Sequence, residues 1–143
     1  MKISSRFTIA VHSLLFLLEF QKDKKITSDF ISSSVNVNPV IIRNILIQLK
    51  KADIITIKRG SIGISLNKNA KDITLFDIFN AVESLDDNKL FSFHKNPNKK
   101  CPIGSLINDI LQTKLDNIQN VMENELKKTT LEDIYKNFDI LYK

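Results

Sequence analysis

The chain has little of what a small protein uses when it lacks a hydrophobic core. Of its 143 residues one is cysteine, Cys101; three are glycine, three are proline and none is tryptophan. A single cysteine excludes an intrachain disulfide scaffold and fits a reducing, cytoplasmic setting. So few glycines and prolines leave no room for long disordered linkers. The sequence also lacks a Gly-rich phosphate loop, a metal-ligand spacing and an assignable nucleophile–base pair, so an enzyme is not expected. No apolar run is long enough to span a bilayer. The N-terminus, MKISSRFTIAVHSLLFLLEFQKDKK, has the basic start and apolar stretch of a secretory leader. However, His12 and Ser13 interrupt the stretch and no small-residue cleavage site follows, so an amphipathic first helix is the reading.

What is present is a core and a lopsided charge. A 43% hydrophobic content and this length suit one globular domain able to bury a core unaided. The formal charge is +5. Residues 1–71 carry twelve Lys and Arg against four acidic side chains, whereas residues 72–143 carry nine against twelve. All three arginines, Arg6, Arg43 and Arg59, fall in the basic half. A basic face of this kind points to a polyanion.

Periodicity divides the chain into helices and one hairpin. Ser5 reads as the cap of a first helix to about Phe20, with Phe7, Val11, Leu14, Leu15 and Leu18 on one stripe. His12, inside that apolar helix, reads as a core or interface histidine with one hydrogen bond. Thr27 caps a second helix that stops near Ser34, where three serines weaken it. Asn38 followed by Pro39 is a strong start for a third helix to about Lys51. Its inward positions read as Val40, Ile41, Ile45, Leu46 and Leu49. Two short helices with a tight link make a helix-turn-helix pattern. The β-branched run Ile54–Ile57, the turn at Lys58–Ser61 and the return at Ile62–Leu66 then read as a basic-tipped hairpin, or wing.

Beyond the wing, Thr74 caps a short helix through Val82. Residues 84–101 read as a long loop held by Phe91 and Phe93, with His94 near them. Pro102 opens a helix of some 25 residues to about Lys127, a rod of about 40 Å. Ile103, Leu106, Ile107, Ile110, Leu111, Leu115, Ile118, Met122 and Leu126 form its apolar stripe. One small domain cannot cover such a stripe, so a second copy of the chain is the expected partner. Thr130 with Asp133 starts a final helix with a near capping box. The fold class is therefore mainly α with a small β-hairpin: a winged helix-turn-helix domain over 1–83, a loop over 84–101, a dimerisation helix over 102–128, and a C-terminal helix over 129–143 that packs back.

Several exact runs, in order, resemble the Rrf2 family of bacterial transcription regulators. They are Met1–Phe7, Asn38-Pro39-Val40 with Arg43, Leu49–Ala52, Arg59-Gly60, Ile73–Ile78 ending in Ala81-Val82-Glu83, Cys101–Gly104 and Thr130–Ile134. The resemblance implies a homodimer with crossing long helices that binds a pseudo-palindromic operator in double-stranded DNA, mostly as a repressor. Some members hold an iron–sulfur cluster through three cysteines between wing and long helix. This chain keeps only Cys101 there, so no cofactor is expected. Ser61-Ile62 also stand where the family often has glycines.

In a winged helix the third helix enters the major groove. Asn38 and Pro39 at its start, Asn36 just before it and Asn44 within it are then DNA-contact candidates. Arg43 can read guanine, hold a phosphate, or pair with Asp29. Lys50 is late enough for phosphate. Lys58, Arg59 and Gly60 at the wing tip suit an A·T-rich minor groove. Lys2, Ser4 and Arg6 can grip backbone phosphate. Cys101, beside Lys99 and Lys100 and just before a helix, suits a sensor that reacts with a small oxidant or thiol. The competing reading is a winged-helix protein that acts through a protein or metabolite partner without specific DNA binding.

Overall fold

The structure, a computed structural model, describes residues 3–58, 63–83 and 88–142. It is mainly helical with one two-stranded antiparallel hairpin, in the order α1 (Ser5–Phe20), α2 (Ser28–Val35), α3 (Pro39–Lys51), β1 (Ile55–Lys58), β2 (Gly63–Leu66), α4 (Leu75–Val82), α5 (Pro102–Lys128) and α6 (Leu131–Tyr142). The chain separates into two compact units. One comprises residues 3–83 with 126–143, and the other holds residues 84–125.

The first unit is built around α1. Ala10, Leu14 and Leu17 have no exposed surface, and Phe16 is nearly as deep. Ile31 of α2, Ile42, Ile45, Leu46 and Leu49 of α3, Ile78 and Val82 of α4 and Leu131 of α6 complete one core. The cap of α1 is Ser4 rather than Ser5: its hydroxyl accepts from the Arg6 N–H at 3.2 Å. Ser13 is buried without penalty because its hydroxyl donates to the Ile9 carbonyl at 2.8 Å.

The second helix runs one residue past Ser34 and ends with Asn36 in the left-handed region, at φ 62°. That αL residue turns the chain, and α3 leaves with a bend of 115° from α2, within the helix-turn-helix range. Asn38 caps α3 as the sequence indicates, accepting from the Val40 N–H at 2.8 Å. The inward face of α3 differs from the periodicity reading. Val40 and Ile41 point outward, at 51% and 39% exposure, and Ile42 takes the buried place. The buried set Ile42, Ile45, Leu46 and Leu49 follows the i, i+3, i+4, i+7 spacing of one helix face.

The hairpin pairs Ile55 with Leu66 and Lys58 with Gly63. Ile26, before α2, adds a bridge to Gly63, and its carbonyl accepts from the Ile64 N–H at 3.1 Å. The hairpin base is thereby fixed beside the helix-turn-helix. Gly63 has φ +67°, and a Cβ there would stand 2.6 Å from the Ile26 carbonyl oxygen. Only glycine meets both conditions. The wing-tip turn, with Arg59 and Gly60, lies outside the described residues, as does Lys2.

The C-terminal helix returns to this unit. Leu131 donates to the Ile73 carbonyl at 2.7 Å and Leu75 to the Thr129 carbonyl at 2.9 Å. Both α4 and α6 begin with reciprocal Thr–Asp caps, Thr74 with Asp77 and Thr130 with Asp133. The second unit consists of the loop residues 88–101 and most of α5. Gln119 is its buried polar anchor: its carbonyl oxygen accepts from the Leu90 N–H at 2.8 Å and its amide donates to the Asn88 carbonyl at 2.7 Å. Leu90 is the buried apolar residue of this loop, and Phe91 and Phe93 are half-buried.

Gly63→Ala should lower the unfolding free energy by about 1–3 kcal/mol, the usual cost of a non-glycine residue held at positive φ, read by denaturant melts. The backbone hydrogen bond from Thr130 lowers the Asp133 pKa below the ordinary 3.8, with the Thr130 hydroxyl second. A carboxyl lowered on folding stabilises the native state above its unfolded pKa, and that contribution is lost as pH falls through the folded value. The wild-type advantage over Asp133→Asn should therefore shrink on acidification below 3.8, measured as the difference in thermal midpoint.

Candidate nucleic-acid interface

The outward face of α3 is the centre of the basic half. Val40, Ile41, Arg43, Asn44, Ile47, Lys50 and Lys51 are all exposed along it. Their exposure follows from the other face: four apolar side chains locked in the core leave the rest of the helix to solvent. Among the described residues no ion pair joins Arg43 to Asp29, so the guanidinium is not held by that acid. Asn38 caps the helix and is exposed, and Pro39 supplies its first residue. Asn36 is exposed but acts as the αL turn that aims α3.

Arg43 shares a groove of about 430 Å³ with residues from the α1–α2 connection, α2 and both strands of the hairpin. Lys25 and Thr27 come from the α1–α2 connection, Ser28 from the first turn of α2, and Lys58 from the end of β1. The Ile26–Gly63 bridge is what brings Lys25 alongside the hairpin. Three cations from separate stretches of chain thus meet beside α3. Lys25 and Ser28 were missed by sequence reasoning, since only the fold places them next to Arg43. The Thr27 cap was the one available signal, because a helix start with free N–H groups suits a phosphate.

Arg6 and Ser4 have partners within the fold. The Arg6 guanidinium donates to the Gln48 side-chain carbonyl and, through Nε, to the Val82 carbonyl at 3.4 Å. The Ser4 hydroxyl donates to Glu83 Oε1 at 2.9 Å. These contacts clasp the start of α1 to the middle of α3 and the end of α4. His12 is exposed rather than buried, and its one hydrogen bond goes to the Ser34 hydroxyl at 3.0 Å. His94 is exposed.

Cys101 is exposed and precedes α5. Its N–H donates to the Asn98 carbonyl at 3.1 Å, and its own carbonyl accepts the first helical bond, from Ser105, at 2.9 Å. The Asn98 backbone lies so close to α5 that a Cβ on Gly104 would stand 2.3 Å from the Asn98 oxygen.

A helix-turn-helix with an exposed cationic recognition helix and a hairpin at its side is the architecture of winged-helix DNA-binding regulators. The family model for Rrf2, described as an iron-dependent transcriptional regulator, matches residues 3–137, and the chain belongs to that family. It is 41% identical over 132 residues to YwnA of Bacillus subtilis (strain 168), whose name places it among HTH-type transcriptional regulators. That match covers 92% of this chain and 96% of YwnA. A crystal structure described as that of a DNA binding protein is similar at 38% identity and a TM-score of 0.73, covering 91% of this chain and 98% of the other. A transcriptional regulator from Lactobacillus plantarum has the same fold, with TM-score 0.77 at 24% identity over 96% of this chain and 91% of that one. The protein is a DNA-binding transcription regulator.

The family description names iron, and the donor set of this chain does not fit it. The sequence has one cysteine. Among the described residues no three His, Cys, Asp or Glu side chains converge as a metal site. A cluster needs several thiolates or their His equivalents, and this chain supplies one thiolate. Among the described residues no single helix is long and apolar enough to cross a membrane.

Arg6→Ala should cost about 1–3 kcal/mol of stability, as for a lost charged hydrogen-bond donor, and should leave the salt dependence of DNA binding unchanged. Denaturant melts and salt-dependent titrations of the same variant separate the two effects.

Proposed function

We propose that this regulator binds a pseudo-palindromic operator as a homodimer, in the cytoplasm, and represses transcription from it. The observation that carries the reading is the grouping of Arg43, Lys25 and Lys58 beside the exposed face of α3. On this reading Arg43 and Asn44 meet base edges, and Val40, Ile41 and Ile47 offer methyl groups to thymine methyls. Asn38 and the α2 start, with Lys25, Thr27 and Ser28, hold phosphates on one flank. Lys50 and Lys58 hold them on the others, and Arg59 and Gly60 are minor-groove contacts on sequence grounds.

The dimer reading rests on α5. Ile103, Leu106, Ile110, Ile118 and Val121 are each more than half exposed on this 27-residue helix. A stripe of that length on a soluble chain calls for a second helix, which an antiparallel or crossed copy supplies. Residues 102–128 are then the dimerisation helix, and 1–83 the DNA-binding domain. Operator half-sites would lie about 34 Å apart, one turn of duplex. Exposed Cys101, flanked by Lys99 and Lys100, is the candidate contact for a small oxidant or thiol.

Operator affinity should fall with salt at a slope of about −7, as for eight phosphates neutralised per dimer. Arg43→Ala should weaken operator binding about tenfold or more and flatten base preference, since one bidentate base contact is worth about 1–3 kcal/mol. A flat salt response would remove the polyanion reading. Cys101→Ser should leave DNA affinity intact in reductant and abolish the response to peroxide; an unchanged peroxide response would take Cys101 out of the mechanism.

A further inference from the structure

A second cavity, of about 420 Å³, lies between α1, the end of α2 and α6. Four aromatic rings line it. Phe16 and Phe20 have centroids 4.8 Å apart on α1, and Phe138 and Tyr142 stack at 5.4 Å and 13° on α6. Its size matches pockets that enclose small molecules. The one carboxylate among the lining residues is Glu19. The Tyr135 hydroxyl donates to one oxygen of that carboxylate and fixes its position.

We propose that this cavity is a binding site for an organic cation with an apolar body. Ring faces carry negative potential and attract a poorly hydrated cation, and the carboxylate supplies the balancing charge. A neutral ligand of the same shape would desolvate Glu19 without compensation, and an anion would repel it. The same aromatic group already takes an ammonium from the chain itself: Lys24 Nζ stands 5.6 Å from the Phe20 centroid and 5.4 Å from that of Phe30. Lys24 is not among the residues that line the cavity.

The site also touches the helix-turn-helix. Ser34 lines it, holds His12 by a hydrogen bond, and stands just before the Asn36 turn that aims α3. Occupancy therefore bears on recognition-helix placement. This regulatory half rests on the DNA-binding reading; binding itself is tested without DNA.

The test is titration of the full chain with tetraphenylphosphonium by calorimetry, in the absence of DNA. One ion per chain should bind, and Glu19→Gln should weaken it at least tenfold. Tetraphenylborate, of the same shape and opposite charge, should lose nothing on that substitution. Thermal melts check that the variant folds. On the unmodified chain, the ring resonances of Phe138 and Tyr142 should shift on adding the cation. The amides of Asn36 to Asn38 should exchange more slowly with it bound. Failure to saturate, equal affinity in Glu19→Gln, unmoved ring resonances, or a cavity filled by a second copy overturns the site. Unchanged exchange at Asn36 to Asn38 overturns the link to α3.

Discussion

The surface proposed to meet DNA depends on one packing constraint, the burial of Ile42, Ile45, Leu46 and Leu49 against α1, α2 and α4. Each of these side chains is essentially inaccessible, and truncating any one would cost about 2–5 kcal/mol. That cost exceeds anything a single exposed lysine or arginine contributes to stability. The rotation of α3 about its axis is therefore fixed by its apolar side, and Arg43 and Asn44 face outward as a consequence. The polar residues do not choose their direction; the core chooses it for them.

The same logic places the flanks. Gly63 lets the hairpin approach Ile26 closely enough for the Ile64 N–H to reach the Ile26 carbonyl, and this carries Lys25 to the groove beside Arg43. Arg6 anchors the arrangement from behind through Gln48 and Val82. A basic residue near the first helix thus serves the fold, and a lysine in the α1–α2 connection stands in the cationic cluster instead. Charge counts along the chain cannot tell these two roles apart, because the partners are dozens of residues away in sequence.

Much of the fold was legible for local reasons. Asn38-Pro39, Thr27, Thr74 and Thr130 are caps whose chemistry acts within three residues, and each stands where its helix begins. Ser4 rather than Ser5 caps α1, a shift that adjacent serines make unreadable. The inward face of α3 misled because the helix has seven apolar residues, Val40, Ile41, Ile42, Ile45, Leu46, Ile47 and Leu49, too many for one face. Two overlapping stripes satisfy the helical period, and only packing against α1, α2 and α4 selects between them. In the proposed complex the exposed Val40, Ile41 and Ile47 have a use, since methyl groups on a recognition helix distinguish thymine. The wing-tip residues Arg59 and Gly60 are among the proposed DNA contacts, and Lys2 is a candidate phosphate contact, on sequence grounds alone.

The most direct test of this account is an NMR study of the protein on its operator duplex. The orientation of α3 predicts intermolecular contacts between the methyl groups of Val40, Ile41 or Ile47 and thymine methyls in the major groove. DNA contacts confined to residues off α3, with those methyls unshifted on binding, would contradict it.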